Sequence, residues 1–203
     1  MPFWDQYSIL EFLIKRLQTK PETSRLVLAT VDNPENDSVA EIGKKTDIKV
    51  VRGPEKNVLK RMLLCLEDED TDFVCRVTAD NPFTDPELIL LQLDEMKRIK
   101  ADYSYCKQSP KGTAADIWTT ECFLSTVANA GSQFEKEHVN AWVWGHPELY
   151  NILWFVSCKN IIRPKMNLSI DTKGDYEQIS RYASSFENPL LVNVASLINA
   201  CKT

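Results

Sequence analysis

Histidine is scarce in this chain, with two in 203 residues, and the six cysteines include no C-x-x-C pair. Cys65, Cys75, Cys106, Cys122, Cys158 and Cys201 are widely spaced, several within apolar runs. A clustered zinc site is excluded, and reduced, buried thiols are expected. Long hydrophobic runs are missing too. The longest, Ile152 to Val156, falls far short of the roughly 20 residues that span a bilayer. The opening Met1-Pro2-Phe3-Trp4-Asp5 has neither a secretory nor a transit signature. The expectation is a cytoplasmic protein with no membrane partner. Positive charge is not in surplus: 24 Lys and Arg face 29 Asp and Glu, for a formal net charge of −5. Without a basic patch to neutralise phosphates, a nucleic-acid partner is excluded. An acidic chain that handles nucleotides must use local donors or a divalent cation. No internal repeat, low-complexity tract or linker breaks the sequence, and 43% hydrophobic residues suffice for one core. Residues 1–203 therefore read as one domain.

What is present is an alternation of apolar strand patterns, turn signals and amphipathic helix patterns. Ser8 with Glu11 forms a capping box ahead of the stripe Ile9, Leu10, Leu13, Ile14 and Leu17, predicting a helix over 8–17. A strand is expected over Arg25–Thr30, ending in the turn Asp32-Asn33-Pro34. Ser38 with Glu41 opens a second helix to about Lys45. Ile48–Val51 reads as a strand closed by Arg52-Gly53-Pro54, with a helix over 55–66 behind it. A third strand, Phe73–Thr78, runs into Ala79-Asp80-Asn81-Pro82. Asp85-Pro86-Glu87 then starts a helix to about Lys97: an N-cap acid, proline at the first position, and an acid at the positive end of the dipole. Three strand–turn–helix units in succession predict an α/β fold, doubly wound on a mostly parallel sheet. Further on, strands are expected over 101–105 and 115–119, around the loop Ser109-Pro110-Lys111-Gly112. Helices follow over 121–129 and 135–144, strands over 150–157 and 167–170, and helices over 174–185 and 191–200.

In an open α/β sheet, ligands sit outside the carboxyl ends of the strands. That rule selects Asp32-Asn33, Arg52-Gly53, Asp80-Asn81 and Asp171-Thr172. Asp80 and Asp171 can share one hard cation, since magnesium is typically held by one or two carboxylates plus substrate phosphates. Arg52 can meet a phosphate or a base edge, and Gly53 lets a nucleotide approach the backbone. Each residue also has a structural reading: Asp-Asn-Pro and Arg-Gly-Pro are turns, and Asp171-Thr172 can simply cap the next helix. The acidic run Glu67–Asp72 precedes its strand and reads as a solvated loop. His138 and His146 read as packed or surface residues, and Trp142 and Trp144 as core or dimer-interface residues.

Ala29-Thr30-Val31-Asp32-Asn33-Pro34-Glu35-Asn36-Asp37, Val51-Arg52-Gly53-Pro54-Glu55 and Arg76-Val77-Thr78-Ala79-Asp80-Asn81-Pro82 resemble the spore-coat-polysaccharide type of cytidylyltransferase. These are relatives of the CMP-Kdo and CMP-sialic acid synthetases. Glu137-His138-Val139, His146-Pro147-Glu148 and Leu168-Ser169-Ile170-Asp171-Thr172 follow in the same order. The resemblance implies a nucleotide-diphospho-sugar-transferase-like fold in which a sugar or sugar-acid oxygen attacks the α-phosphorus of CTP, expelling pyrophosphate. It implies Asp80 and Asp171 as catalytic acids that bind Mg2+. Arg52, Gly53, Arg76 and Asn81 would lie on the nucleotide side, with Lys111 and Asp116 on the acceptor side. It also implies a homodimer, with the Trp142–Trp144 segment as candidate interface.

The sequence departs from that family in three ways. The family's N-terminal strand and triphosphate loop have no counterpart here, so the reading is of an N-terminally truncated domain. Ala114 stands where the family usually has Asp, and Asn167 where it has a basic residue. An inactive relative that binds a nucleotide or a partner protein is the second reading. A sugar-nucleotide-using glycosyltransferase is the third, but it calls for a D-x-D, and Asp80-Asn81-Pro82 lacks the second acid.

Overall fold

The computed structural model describes residues 2–23, 25–67, 69–156, 162 and 165–201. Helix α1, Ile9–Leu17, begins at the capping box: Ser8 Oγ accepts from the Glu11 amide, and Glu11 Oε2 accepts from the Ser8 amide. It buries Phe12, Leu13, Ile14 and Leu17, the stripe that the 3.6-residue period requires. Then come β1 (Val27–Val31), α2 (Asp37–Lys45), β2 (Lys49–Gly53), α3 (Val58–Leu64) and β3 (Phe73–Arg76). The second half comprises α4 (Pro86–Ile99), β4 (Tyr103–Tyr105), β5 (Asp116–Thr119), α5 (Thr120–Asn129), α6 (Gln133–Glu137), α7 (Ala141–Gly145), β6 (Ile152–Trp154), α8 (Lys173–Ser184) and α9 (Val194–Ala200).

The strands form two hydrogen-bonded groups. β1 and β2 are parallel, with Thr30 opposite Arg52 and Val31 opposite Gly53. The others lie in the order β3-β5-β4-β6, with β4 and β6 parallel and β5 antiparallel to both its neighbours. This is the expected α/β class with parallel pairs, β1–β2 and β4–β6, and β5 runs reversed between β3 and β4. The reversal of β5 left no mark in the sequence. Three of its four residues are buried, a pattern that reads like a parallel strand covered on both faces.

Helix α1 joins the two groups. Its Leu13 and Leu17 pack with Ile89, Met96, Ala101, Ala115 and Ile117, and Leu26 and Phe73, beside β1 and in β3, flank that cluster. Arg16 adds a polar joint. It is 1% exposed and donates to the carbonyls of Thr84, Pro189, Leu190 and Val192. Asp85 caps α4 through the Glu87 amide and also accepts from the Val194 amide at the start of α9. The acidic loop before β3 meets Arg25 and Lys49 through Glu69.

Several boundaries differ from the sequence pattern. Arg52 and Gly53 belong to β2 itself rather than to the turn after it. The helix expected over 135–144 is two short ones, broken around His138–Asn140 with no Gly or Pro to mark the break. The strand expected over 167–170 is reduced to one bridge between Lys111 and Asn167. The strand expected to end at Ser157 is Ile152–Trp154, and both Ser157 and Cys158 lie outside the described residues. Cys106 and Cys122 are buried free thiols, as expected, but Cys75 is exposed. Among the described residues, no helix is long and apolar enough to cross a membrane.

Candidate active site

The turn after β3 and the segment before α8 run side by side. The Ile170 amide donates to the Asp80 carbonyl at 2.9 Å, and Ser169 Oγ donates to Asp80 Oδ2 at 3.3 Å. Asp80 Oδ1 is buried with no hydrogen-bond partner, as is the neighbouring Asn81 Oδ1. Orphaned buried acceptors of this kind are uncommon and costly, so two in succession mark a place prepared for a donor or a cation. Asn81 is held in place by its side-chain amide donating to Thr78 Oγ1. Asp171 precedes Thr172, which caps α8 in a reciprocal box with Asp175. The capping reading of Asp171-Thr172 thus holds for Thr172, while the Asp171 carboxylate is left free to pair elsewhere.

It pairs with Lys111, whose Nζ lies 2.7 Å from Asp171 Oδ2. That hydrogen bond raises the Lys111 pKa, and the charges of Asp171, Asp80 and Asp175 raise it further. Asp80 and Asp171, 91 positions apart in sequence, thus lie on adjoining segments, linked by the Ile170–Asp80 hydrogen bond. What brings Lys111 there is a backbone crossing. Lys111 donates to the Met166 carbonyl and accepts from the Leu168 amide at 2.9 and 2.8 Å. Gly112, at φ 86°, lets the chains approach: a Cβ there would stand 2.8 Å from the Leu168 carbonyl carbon.

A cavity of about 250 Å³ adjoins this rim, lined among others by Arg76, Thr78, Asn81, Lys111, Asp116 and Asn140. Asp116 is 9% exposed, and burial raises its pKa against the opposing effects of Tyr103, Arg76 and Asn140. Tyr103 donates its hydroxyl to Asp116 Oδ1, while Arg76 stands 3.5 Å from Oδ2. Antiparallel pairing sets this up, since Arg76 and Asp116 are register partners on β3 and β5. Sequence reasoning had named Asp116, Arg76 and Lys111, but it missed Tyr103 and Asn140, which carry no motif. Gly112 had a signal in its Pro-Lys-Gly loop.

Arg52 and Gly53 are on the other strand group. Arg52 pairs with Asp37 at 2.6 Å and donates to the Asn33 carbonyl, so the turn after β1 and the end of β2 do converge. Gly53 has a packing reason to lack a side chain. A Cβ there would meet Arg61 and Leu64 of α3 at 3.0–3.2 Å.

Among the described residues, no three or more His, Cys, Asp and Glu side chains cluster to hold a metal. Two carboxylates on one rim, one with an unpartnered oxygen, nevertheless fit the donor set of a magnesium ion completed by substrate phosphate and water. Fold and rim together define an α/β protein with acids and a lysine gathered where the turn after β3 meets the segment before α8, beside a polar cavity. The family model described as cytidylyltransferase matches residues 6–193, and the chain belongs to that family. It is 29% identical over 188 residues to the spore coat polysaccharide biosynthesis protein SpsF of Bacillus subtilis, covering 89% of this chain and 78% of that one. An uncharacterised protein of Methanocaldococcus jannaschii is 27% identical over 186 residues, covering 92% and 75%. The solved structure of a cytidylyltransferase from Leptospira borgpetersenii superposes with a TM-score of 0.91 at 23% identity, over 98% of this chain and 84% of that one, which supports the fold.

Proposed function

We propose that this protein transfers CMP from CTP to a hydroxyl of a sugar-type acceptor, with release of pyrophosphate, in polysaccharide or glycan biosynthesis. Family membership supports nucleotidyl transfer, and the name of the Bacillus relative supports the polysaccharide setting. The observation that carries the site assignment is the meeting of the Asp80 turn with the Ser169–Asp171 segment, where Asp171 pairs with Lys111. In the reaction the acceptor oxygen forms a bond to the α-phosphorus, and the bond from that phosphorus to the β-phosphate oxygen breaks. The hydroxyl proton passes to Asp116, whose raised pKa suits a base poised in a partly desolvated cavity. Arg76 and Tyr103 hold that carboxylate in place. Lys111, paired with Asp171 at this rim, turns to phosphate oxygens as negative charge shifts to pyrophosphate. A magnesium ion held by Asp80 and Asp171 would neutralise phosphate charge and align the triphosphate. Arg52 serves the nucleotide side.

Calorimetric titration of CTP in the presence of Mg2+ tests this reading. Asp80→Asn should abolish Mg2+-dependent binding while the melting temperature stays within a few degrees of wild type. Unchanged binding would remove Asp80 from the site.

A further inference from the structure

Three aromatic side chains meet at one corner of the candidate cavity. Tyr105 of β4 is the register partner of Trp154 in β6, so the two side chains leave the sheet on the same face. Helix α7 lays Trp144 against both, with its centroid 5.4 Å from Tyr105 at 70° and 6.3 Å from Trp154 at 46°. Tyr105 and Trp144 belong to the cavity wall that also carries Asp116 and Asn140. Yet Trp144 is 43% and Trp154 50% exposed. Rings of this size are ordinarily favoured in the interior, so the corner is an apolar shelf left open at the mouth of a polar cavity. It is a fixed shelf. The Trp144 amide donates to the Asn140 carbonyl at 3.0 Å, and the Asn140 side chain in turn reaches Asp116 Oδ1 at 3.5 Å. Lys107 completes it, with Nζ 6.0 Å from the Trp154 centroid.

Indole faces are negatively polarised, so they attract both ammonium groups and the polarised C–H bonds on one side of a pyranose. Their neighbours Asp116 and Asn140 supply the hydrogen bonding that sugar hydroxyls need. We propose that Trp144 and Trp154 form the ring subsite for the acceptor, one face of the sugar packing on the indoles while Lys107 receives an anionic substituent. This rests on the CMP-transfer reading and adds where the acceptor sits and what selects it. Continuity with the cavity favours a small sugar over a second copy of this chain as the occupant.

The test follows the indole N–H signals of 15N-labelled protein, whose five tryptophans are Trp4, Trp118, Trp142, Trp144 and Trp154. Glucose, glucuronate, glucose 1-phosphate and a 2-keto sugar acid are each titrated with and without CTP and Mg2+. Trp144 and Trp154 should shift with the anionic sugars and less with glucose, while Trp4 stays put. Trp144→Ala should weaken sugar binding roughly fivefold to tenfold, and Trp144→Phe should restore most of it. Lys107→Met should remove the preference for anionic over neutral sugars. Should Trp144→Ala fail to fold, Trp154→Ala on the edge strand carries the same expectation. If no sugar moves either indole while CTP with Mg2+ still binds, the subsite is wrong and the transfer reading survives. If sugars bind there but CTP does not, the transfer reading falls alone. Indole shifts that follow protein concentration, with a dimer in sedimentation, would show a second copy on the shelf and overturn the proposal.

Discussion

Replacing Gly112 by alanine probes whether a single backbone crossing builds the catalytic rim. At φ 86° the new side chain enters a conformation that costs L-residues on the order of 1–2 kcal/mol. Its Cβ would also stand 2.8 Å from the Leu168 carbonyl carbon and the Ser169 nitrogen, and 2.9 Å from the Leu168 oxygen. These are backbone atoms that cannot swing away as a side chain would. The crossing is pinned by the Lys111–Met166 and Leu168–Lys111 hydrogen bonds, and losing one adds about 1–3 kcal/mol. The sum is about 2–5 kcal/mol. At about 2–4 °C per kcal/mol for a chain of this size, the melting temperature should fall by about 10 °C. Gly145→Ala is the control, because no atom lies within 4 Å of a Cβ built there, and it should stay within about 0.5 kcal/mol of wild type. Thermal unfolding by circular dichroism gives the first readout and pyrophosphate release the second. Activity should drop further than the folded fraction does, since Lys111 moves with the crossing. A Gly112→Ala protein that melts with the control and keeps full turnover would refute the reasoning.

Asp116→Asn should lower turnover by roughly 100-fold or more with CTP affinity little changed, as expected for loss of a base; a parallel loss of CTP binding would assign Asp116 to the nucleotide instead. Glu11 is held at a pKa of about 2 rather than 4.5, first by its Lys45 hydrogen bond and then by the Ser8 cap. A depressed carboxylate contributes stability that is whole above pH 4.5 and fades as pH falls toward 2. The advantage of wild type over Glu11→Gln in melting temperature should therefore shrink across that range, and parallel curves would contradict the assignment.

Signals confined to a few neighbouring residues were legible in the sequence. The Ser8–Glu11 box, the Asp85-Pro86 start and the Asp171-Thr172 cap are local hydrogen-bond chemistry, and each became a helix end, whereas Ser38 lies inside α2, which begins at Asp37 with no side-chain cap. That the Asp80 turn and the Asp171 segment adjoin agrees with the carboxyl-end rule, although a single bridge at Asn167, not a strand, precedes Asp171. Pairing direction was not legible. Whether β5 runs with or against β3 depends on partners 40 residues away, and that direction puts Arg76 opposite Asp116. Tyr103 and Asn140 were hidden for the same reason, since their roles exist only once Asp116 lies between them. Lys111 was named for the acceptor, but its ion pair with Asp171 came from a loop crossing that no period in the sequence records.

Arg16 has a consequence for how the molecule opens. Burial lowers its pKa to about 10, so it remains a cation at neutral pH. Releasing the residues ahead of α9 would strand that cation in the interior, and Asp85 would lose its hold on the same helix. Excursions of α9 should therefore be rare and coupled to α1, so that slow amide protons in the two helices exchange together as one cooperative unit.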